Sequence, residues 1–305
     1  MPGLGPSTAV PILEGPYRPN QALDHGMRLF ECPAPDNLVW QDGHLLFTSG
    51  SAVLLLDGLH SHPHDHSREA EEILRFESAV TAMAAASDGS LAIGLGAEGI
   101  AIVGGEHDGK IVDPIAGAAG KAATALCFAD PHTLFACMDH SADEMPDRTE
   151  GSLWRIDLRG AEPLCLAADL SAPRGLLLRD IDTLVVSEAG RRRLVACATG
   201  RRSALRVLLD GLPGSPGRIA RGSGHSLWLA IPGLGGSPLA YGLVVRLTTD
   251  CMPDVSLHGG TDGRSRGAVS CLEVRGELVV ACQGDDTLVS VDLSHAVDDQ
   301  VISES

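Results

Sequence analysis

Along this chain the apolar residues come in short runs broken by Asp, Gly and Arg turns. Between Ser171 and Ile231 the runs Leu176 to Leu178, Leu184 to Val186, Leu194 to Cys197 and Leu205 to Leu209 are each too short for a helix and right for a strand. Four strands within about 40 residues predict one blade of a β-propeller. The unit recurs, opening near Asp36, Val80, Ala123, Pro173, Pro216 and Gly267. Its spacing of about 40 to 50 residues is the period expected of propellers. These openings predict an all-β, six-bladed ring.

The last unit, with Val269 to Val274, Leu278 to Cys282 and Leu288 to Leu293, supplies three strands before the polar tail from Asp298. An unpaired sheet edge invites aggregation, and propellers close by borrowing a strand from the other terminus. The segment Gly26 to Glu31, ahead of the first unit, is the natural donor. The predicted organisation is therefore an irregular, Pro-rich segment over residues 1–25, a propeller over 26–297 and a tail over 298–305, the first of these lying across the outside of the ring.

Composition narrows the function classes. The 305 residues, 44% hydrophobic, are enough for one large all-β domain, and 36 Gly and 18 Pro match many tight turns. No run of about 18 or more apolar residues occurs, and no basic stretch followed by an apolar one opens the chain, so a cytoplasmic protein without membrane contact is expected. The net charge of −17 opposes a polyanion, which argues against nucleic acid despite the Arg191 to Arg193 and Arg201 to Arg202 clusters. Of the eight cysteines, Cys127, Cys137, Cys165, Cys197, Cys271 and Cys282 fall inside apolar strand runs, where a thiol packs as a small hydrophobe. No phosphate-binding loop, GxSxG elbow or HExxH helix is present.

Several segments resemble one family. APRGLLL from Ala172, VVSEAGRRRLV from Val185, DGLPGSPGRIA from Asp210 and LWLAI from Leu227 are similar to the strictosidine synthase-like branch of the gluconolactonase and senescence-marker superfamily of six-bladed propellers. Cys137 to Ser141, Gly151 to Asp157 and Pro35 to Trp40 resemble further motifs of that group, in the same order. The resemblance implies a small-molecule enzyme, foremost a hydrolase of a lactone or ester that bears an anionic group. A non-catalytic propeller binding a metabolite or a protein partner is the alternative, and a bond-forming or isomerising biosynthetic enzyme a further one.

The resemblance also implies an altered centre. Lactonases of this group hold a divalent cation, usually calcium, through oxygen side chains that begin the inner strands, because clustered oxygens replace the water of a hard cation. The matching positions here read Asp36, approximately Thr124, Arg174 and Gly217, with Arg218 following. A guanidinium beside a divalent ion costs several kcal/mol, so no metal or other cofactor is expected and calcium is disfavoured. The glutamate and histidine that carry the strictosidine synthase reaction match Val269 and Gly267, and a pocket tyrosine matches Glu144.

What the sequence leaves at the mouth of the channel is Asp36, Arg174 and Arg218, with Asp139 and Glu144 nearby. The planar fork of arginine suits carboxylate or phosphate, so the expected ligand is a small organic anion held by Arg174, Arg218, Asp139 and Glu144. The bland counterpart is an Asp36–Arg174 pair that merely plugs the channel. His140, beside Asp139, is the best general-base candidate, with Asp36 the second catalytic candidate. Glu188 and Arg193 read as a structural cross-strand pair. His60, His62, His64 and His66 alternate in a polar loop whose spacing suits zinc, nickel or copper but which reads as a solvated connection, followed from Ser67 by a short helix or an outer strand. His132 and His225 occupy isolated turns on the face opposite the mouth.

Overall fold

The computed structural model describes residues 13–57, 69–113, 121–140, 150–233, 241–260 and 266–296. The strand β1 (Met27–Glu31) is followed by blade one, β2 (Pro35–Gln41), β3 (His44–Ser49), β4 (Ala52–Leu56) and β5 (Ala70–Arg75). Blade two holds β6 (Ala82–Ala85), β7 (Leu91–Gly94), β8 (Ile100–Val103) and β9 (Ile111–Val112), and blade three β10 (Lys121–Asp130), β11 (Thr133–His140), β12 (Gly151–Asp157) and β13 (Leu164–Leu170). Blade four holds β14 (Pro173–Asp180), β15 (Thr183–Glu188), β16 (Arg193–Ala198) and β17 (Arg206–Leu209), and blade five β18 (Ile219–Arg221), β19 (Leu227–Ile231), β20 (Gly242–Leu247) and β21 (Pro253–Gly259). Blade six is β22 (Ala268–Val274), β23 (Glu277–Cys282) and β24 (Thr287–Asp292), followed by the single turn α1 (Leu293–Ala296).

Each blade is an antiparallel four-stranded sheet, and the sixth is completed by β1, which pairs with β24 from Met27↔Ser290 to Glu31↔Thr287. The protein is thus a six-bladed β-propeller closed by a strand from the N-terminal side. Residues 67–75, open between helix and strand from sequence, include the outer strand β5; the histidine loop His60 to His66 lies outside the described residues.

Alternation of side chains along a strand explains why the inner strands are apolar almost throughout. Successive residues point to opposite faces of the sheet, and in a propeller both faces are covered by neighbouring blades. In β11, Leu134, Ala136 and Met138 pack against blade two, whereas Phe135 and Cys137 pack against blade four. In β19, Trp228 and Ala230 join the interface with blade six, and Leu227, Leu229 and Ile231 that with blade four. In β3, Leu45 and Phe47 face blade six and Leu46 faces blade two. The core is accordingly divided into separate apolar seams between adjacent blades, around an axis left to polar groups. All eight cysteines are free, and most pack within the seams.

The segment before β1 is tied to blade five. Asn20 donates from Nδ2 to the Ser256 carbonyl at 2.7 Å and accepts from the His258 N–H at 3.0 Å, and Leu23 is fully buried against β21. Asp24 accepts from Arg266 Nε at 3.2 Å, and Arg266 Nη1 lies 2.5 Å from Asp285, so a buried ion cluster joins this segment to blade six.

Candidate functional site

The inner strands begin at one face of the ring, here the entry face, and their first turns converge on the axis. There the ladders slip: between Asp36 and Val39 on β2, Ala123 and Ala125 on β10, Pro173 and Gly175 on β14, and Ala268 and Ser270 on β22. A bulge leaves its extra residue unpaired and re-aims its polar groups. The residues freed in this way include Thr124, Arg174 and Val269. Close approach of the strands needs glycine at two places, since a Cβ on Gly175 would lie 2.6 Å from the Gly217 carbonyl and one on Gly217 2.8 Å from that of Val269.

Arg218, one residue before β18, fills the space between these groups. Its Nε and Nη2 reach the two oxygens of Asp36 at 3.3 and 2.9 Å. Nη2 also donates to the Thr81 carbonyl at 2.8 Å, and Nη1 to the carbonyls of Arg174, at 3.0 Å, and Thr124. A guanidinium has five N–H donors, and all of them are placed. The Arg218 backbone N–H donates to Val269 at 3.2 Å and its carbonyl accepts from Ala230. One residue of blade five therefore bonds to all five other blades. The Asp36 and Arg218 side chains are about four-fifths buried, at 21% and 17% exposure, so the pair is only partly screened by water.

Three of the four positions that the resemblance matches to cation ligands do converge. Asp36 contributes its carboxylate, and Thr124 and Arg174 contribute carbonyls in place of side chains. Their oxygens are taken by the Arg218 donors, and an ion seated among them would lie within a few ångströms of a fixed positive charge. The residues do not fit a calcium ion at the axis. The partner of Asp36 is Arg218 and not Arg174, which corrects the pairing expected for a plug.

Around this latch the blades are cross-tied. Thr81 Oγ1 donates to the Ala123 carbonyl at 2.7 Å, Ser187 Oγ to that of Gly217 at 2.7 Å, and the Leu38 N–H to Ser270 Oγ at 3.2 Å. Asn37, at a φ of 50°, buries its amide against Thr48 Oγ1 at 3.0 Å. Glu188, fully buried, accepts from Arg193 Nε at 2.5 Å, Arg191 Nη1 at 3.2 Å and the Ser171 N–H at 2.8 Å. Its register partner is Arg193, so the pair has the cross-strand geometry expected of a structural contact.

Asp139 and His140 end β11 at the entry face, opposite Ala122 and Lys121. Asp139 is buried, and Arg174 is half-buried at the start of β14. Glu144 lies outside the described residues. A groove of about 390 Å³ beside them is lined by Lys121, Glu150, Trp154, Cys165 and Asp169. A larger groove of about 690 Å³ lies at the opposite face between blades five and six, its walls setting Arg246 and Arg275 against Glu273, Glu277 and Asp292. Small-molecule pockets are mostly apolar with a few convergent polar groups, and this charged, self-compensating groove does not fit that description.

Sequence reasoning missed a second convergence. His107, in the β8–β9 turn, and His132, in the β10–β11 turn, meet across blades two and three with Nε2 of the first 2.9 Å from Nδ1 of the second. They stand 25 positions apart, and only the angular placement of two blades brings them together.

The sequence matches no protein-family model and no curated protein. Its fold is similar to several solved propellers. A gluconolactonase from Xanthomonas campestris is 17% identical, with 86% of each chain covered and a TM-score of 0.66. The calcium-binding protein regucalcin from Agrobacterium tumefaciens is 13% identical, with 86% of this chain and 90% of the other covered and a TM-score of 0.63. An aldose sugar dehydrogenase from Streptomyces coelicolor, in its PQQ-bound form, is 15% identical over 87% and 97% of the two chains, with a TM-score of 0.59. At these identities the likeness is one of fold, to gluconolactonase- and regucalcin-like six-bladed propellers among others, and propellers serve unrelated chemistries.

Proposed function

We propose that this chain is a cytoplasmic small-molecule-binding propeller, with inner strands that resemble those of the strictosidine synthase-like branch, in which an arginine has taken the axial position and no metal-dependent hydrolysis takes place. The observation that carries this reading is the saturation of Arg218: every guanidinium donor ends on Asp36 or on a carbonyl of the inner strands. A group with no donor left over holds the ring together and does not bind ligand. The ligand, a small organic anion, then sits above the latch at the entry face, beside Arg174 and Asp139.

The placement of Asp139 and His140 together at the mouth end of β11 supports a second reading, in which a bound lactone or ester is hydrolysed with His140 as general base. One experiment weighs both. Purified protein is analysed for metal and offered a panel of carboxylate-bearing lactones and aryl esters with and without added calcium, alongside His140→Ala. The expected outcome is saturable binding of the anionic compounds, weakened in Arg174→Ala, with no calcium-stimulated turnover. Calcium-dependent hydrolysis by the unaltered protein overturns the metal-free reading. Turnover without calcium that disappears in His140→Ala replaces the binding protein by the hydrolase.

A further inference from the structure

On the face opposite the entry, Glu106, His107 and His132 bring one ligand atom each within 4.8 Å of one another. The two imidazoles stand nearly perpendicular, at 81°, with facing nitrogens 2.9 Å apart. Two nitrogens bound to one tetrahedral ion at about 2.0 to 2.1 Å are separated by about 3.3 Å. The observed spacing is a few tenths of an ångström short of that, so a slight opening together with a tilt of each ring toward a common point admits a metal. Glu106 is exposed, so its carboxylate can swing to the third position at little cost, and a fourth position remains for water.

The backbone under each ligand is fixed. His132 donates its N–H to Asp130 Oδ1 at 2.8 Å and accepts from the Leu158 N–H at 2.8 Å. The turn carrying Glu106 and His107 is closed by Gly109 N–H to the Ile102 carbonyl at 3.0 Å, Lys110 N–H to that of His107 at 3.1 Å, and Gly104 N–H to Asp108 Oδ1 at 2.7 Å. Two tight turns from adjacent blades thus present ligands that need little ordering. Two imidazoles with one carboxylate suit zinc and other borderline divalent transition ions, whereas calcium and magnesium prefer all-oxygen shells.

We propose that Glu106, His107 and His132 form a zinc-type site that clamps blade two to blade three, independent of the axial latch and of the reading given to the entry face. The ion replaces the hydrogen bond between the two rings. Because the ligands come from two blades, occupancy stabilises the closed ring.

The test uses the full chain with His60, His62, His64 and His66 all changed to Gln, so that the histidine loop cannot contribute, and titrates zinc chloride against a chromophoric competitor. The expected result is one zinc ion per chain and a rise of a few degrees in the melting temperature. In the same background His107→Gln and His132→Gln each weaken binding by at least the roughly 10- to 100-fold that loss of an outer-shell partner costs, and they abolish the thermal shift. Glu106→Gln, at an exposed position, gives a smaller loss in the same direction without affecting metal-free stability. Absence of stoichiometric zinc in the loop variant, or unchanged affinity in His132→Gln, overturns the proposal.

Discussion

Arg218 shows how a residue type visible in sequence acquires its role from a backbone detail that is not. That arginines stand at or beside the starts of the inner strands of blades four and five was legible. Which arginine would take the axis was not, because that depends on the bulges at Thr124 and Arg174, which send main-chain carbonyls inward. Cation and acceptors were read as side chains, whereas three of the four acceptor groups are peptide oxygens. Removing the guanidinium strands a carboxylate and three carbonyls in a partly buried hub, and breaking a buried pair in this way costs about 3 kcal/mol. Arg218→Met should therefore lower unfolding free energy by that amount in urea titrations. Arg218→Lys should recover only part of it, since an ammonium has three donors in place of a planar five. A change in Arg218→Met below about 0.5 kcal/mol, typical of surface sites, would remove the latch from the account of stability.

Elements were legible wherever short apolar runs alternate with turn residues, because a strand covered on both faces leaves that signature whatever its position in the ring. The shortfall of one strand in blade six pointed to the N-terminal donor, and β1 occupies that place with Leu29 buried and Phe30 edge-on to Phe47, ring centroids 6.0 Å apart. Pairings within a blade follow chain order and are easily read, whereas contacts between turns of adjacent blades, such as His107 with His132, need the angular step from blade to blade. Since β24 has no other outer partner among the described residues, deletion of residues through Glu31 exposes its edge and the apolar side chains of Leu288 and Val289. Such a truncation should lose cooperative thermal unfolding and run as aggregates in size-exclusion chromatography. A monomer melting at the full-length temperature would show that closure by β1 is dispensable.

At the scale of the whole molecule the ring is a closed stack of seams, so stability depends on the clasp between its ends as well as on the hub. Asn20, Leu23 and Asp24 clip the segment before β1 onto blades five and six, and His258 lies at the centre of that clip. Its ring is fully buried between Ser256 Oγ and Tyr241 Oη, each at 2.8 Å. Burial pushes its pKa down from 6.5 to about 4, against the opposing pull of Asp24. The folded state thus binds the proton less readily than the unfolded chain does. The stabilisation from neutral His258 is complete above about pH 6.5 and is lost as pH falls toward 4, which amounts to about 2 kcal/mol between pH 7 and pH 5. His258→Gln keeps a hydrogen-bonding group in the site and removes the titration, so the fall in unfolding free energy from pH 7 to pH 5, read from urea titrations, should be smaller in the variant than in the parent by that amount. Equal slopes in the two proteins would mean that protonation of His258 does not open the clasp, and that acid lability arises from groups elsewhere in the ring.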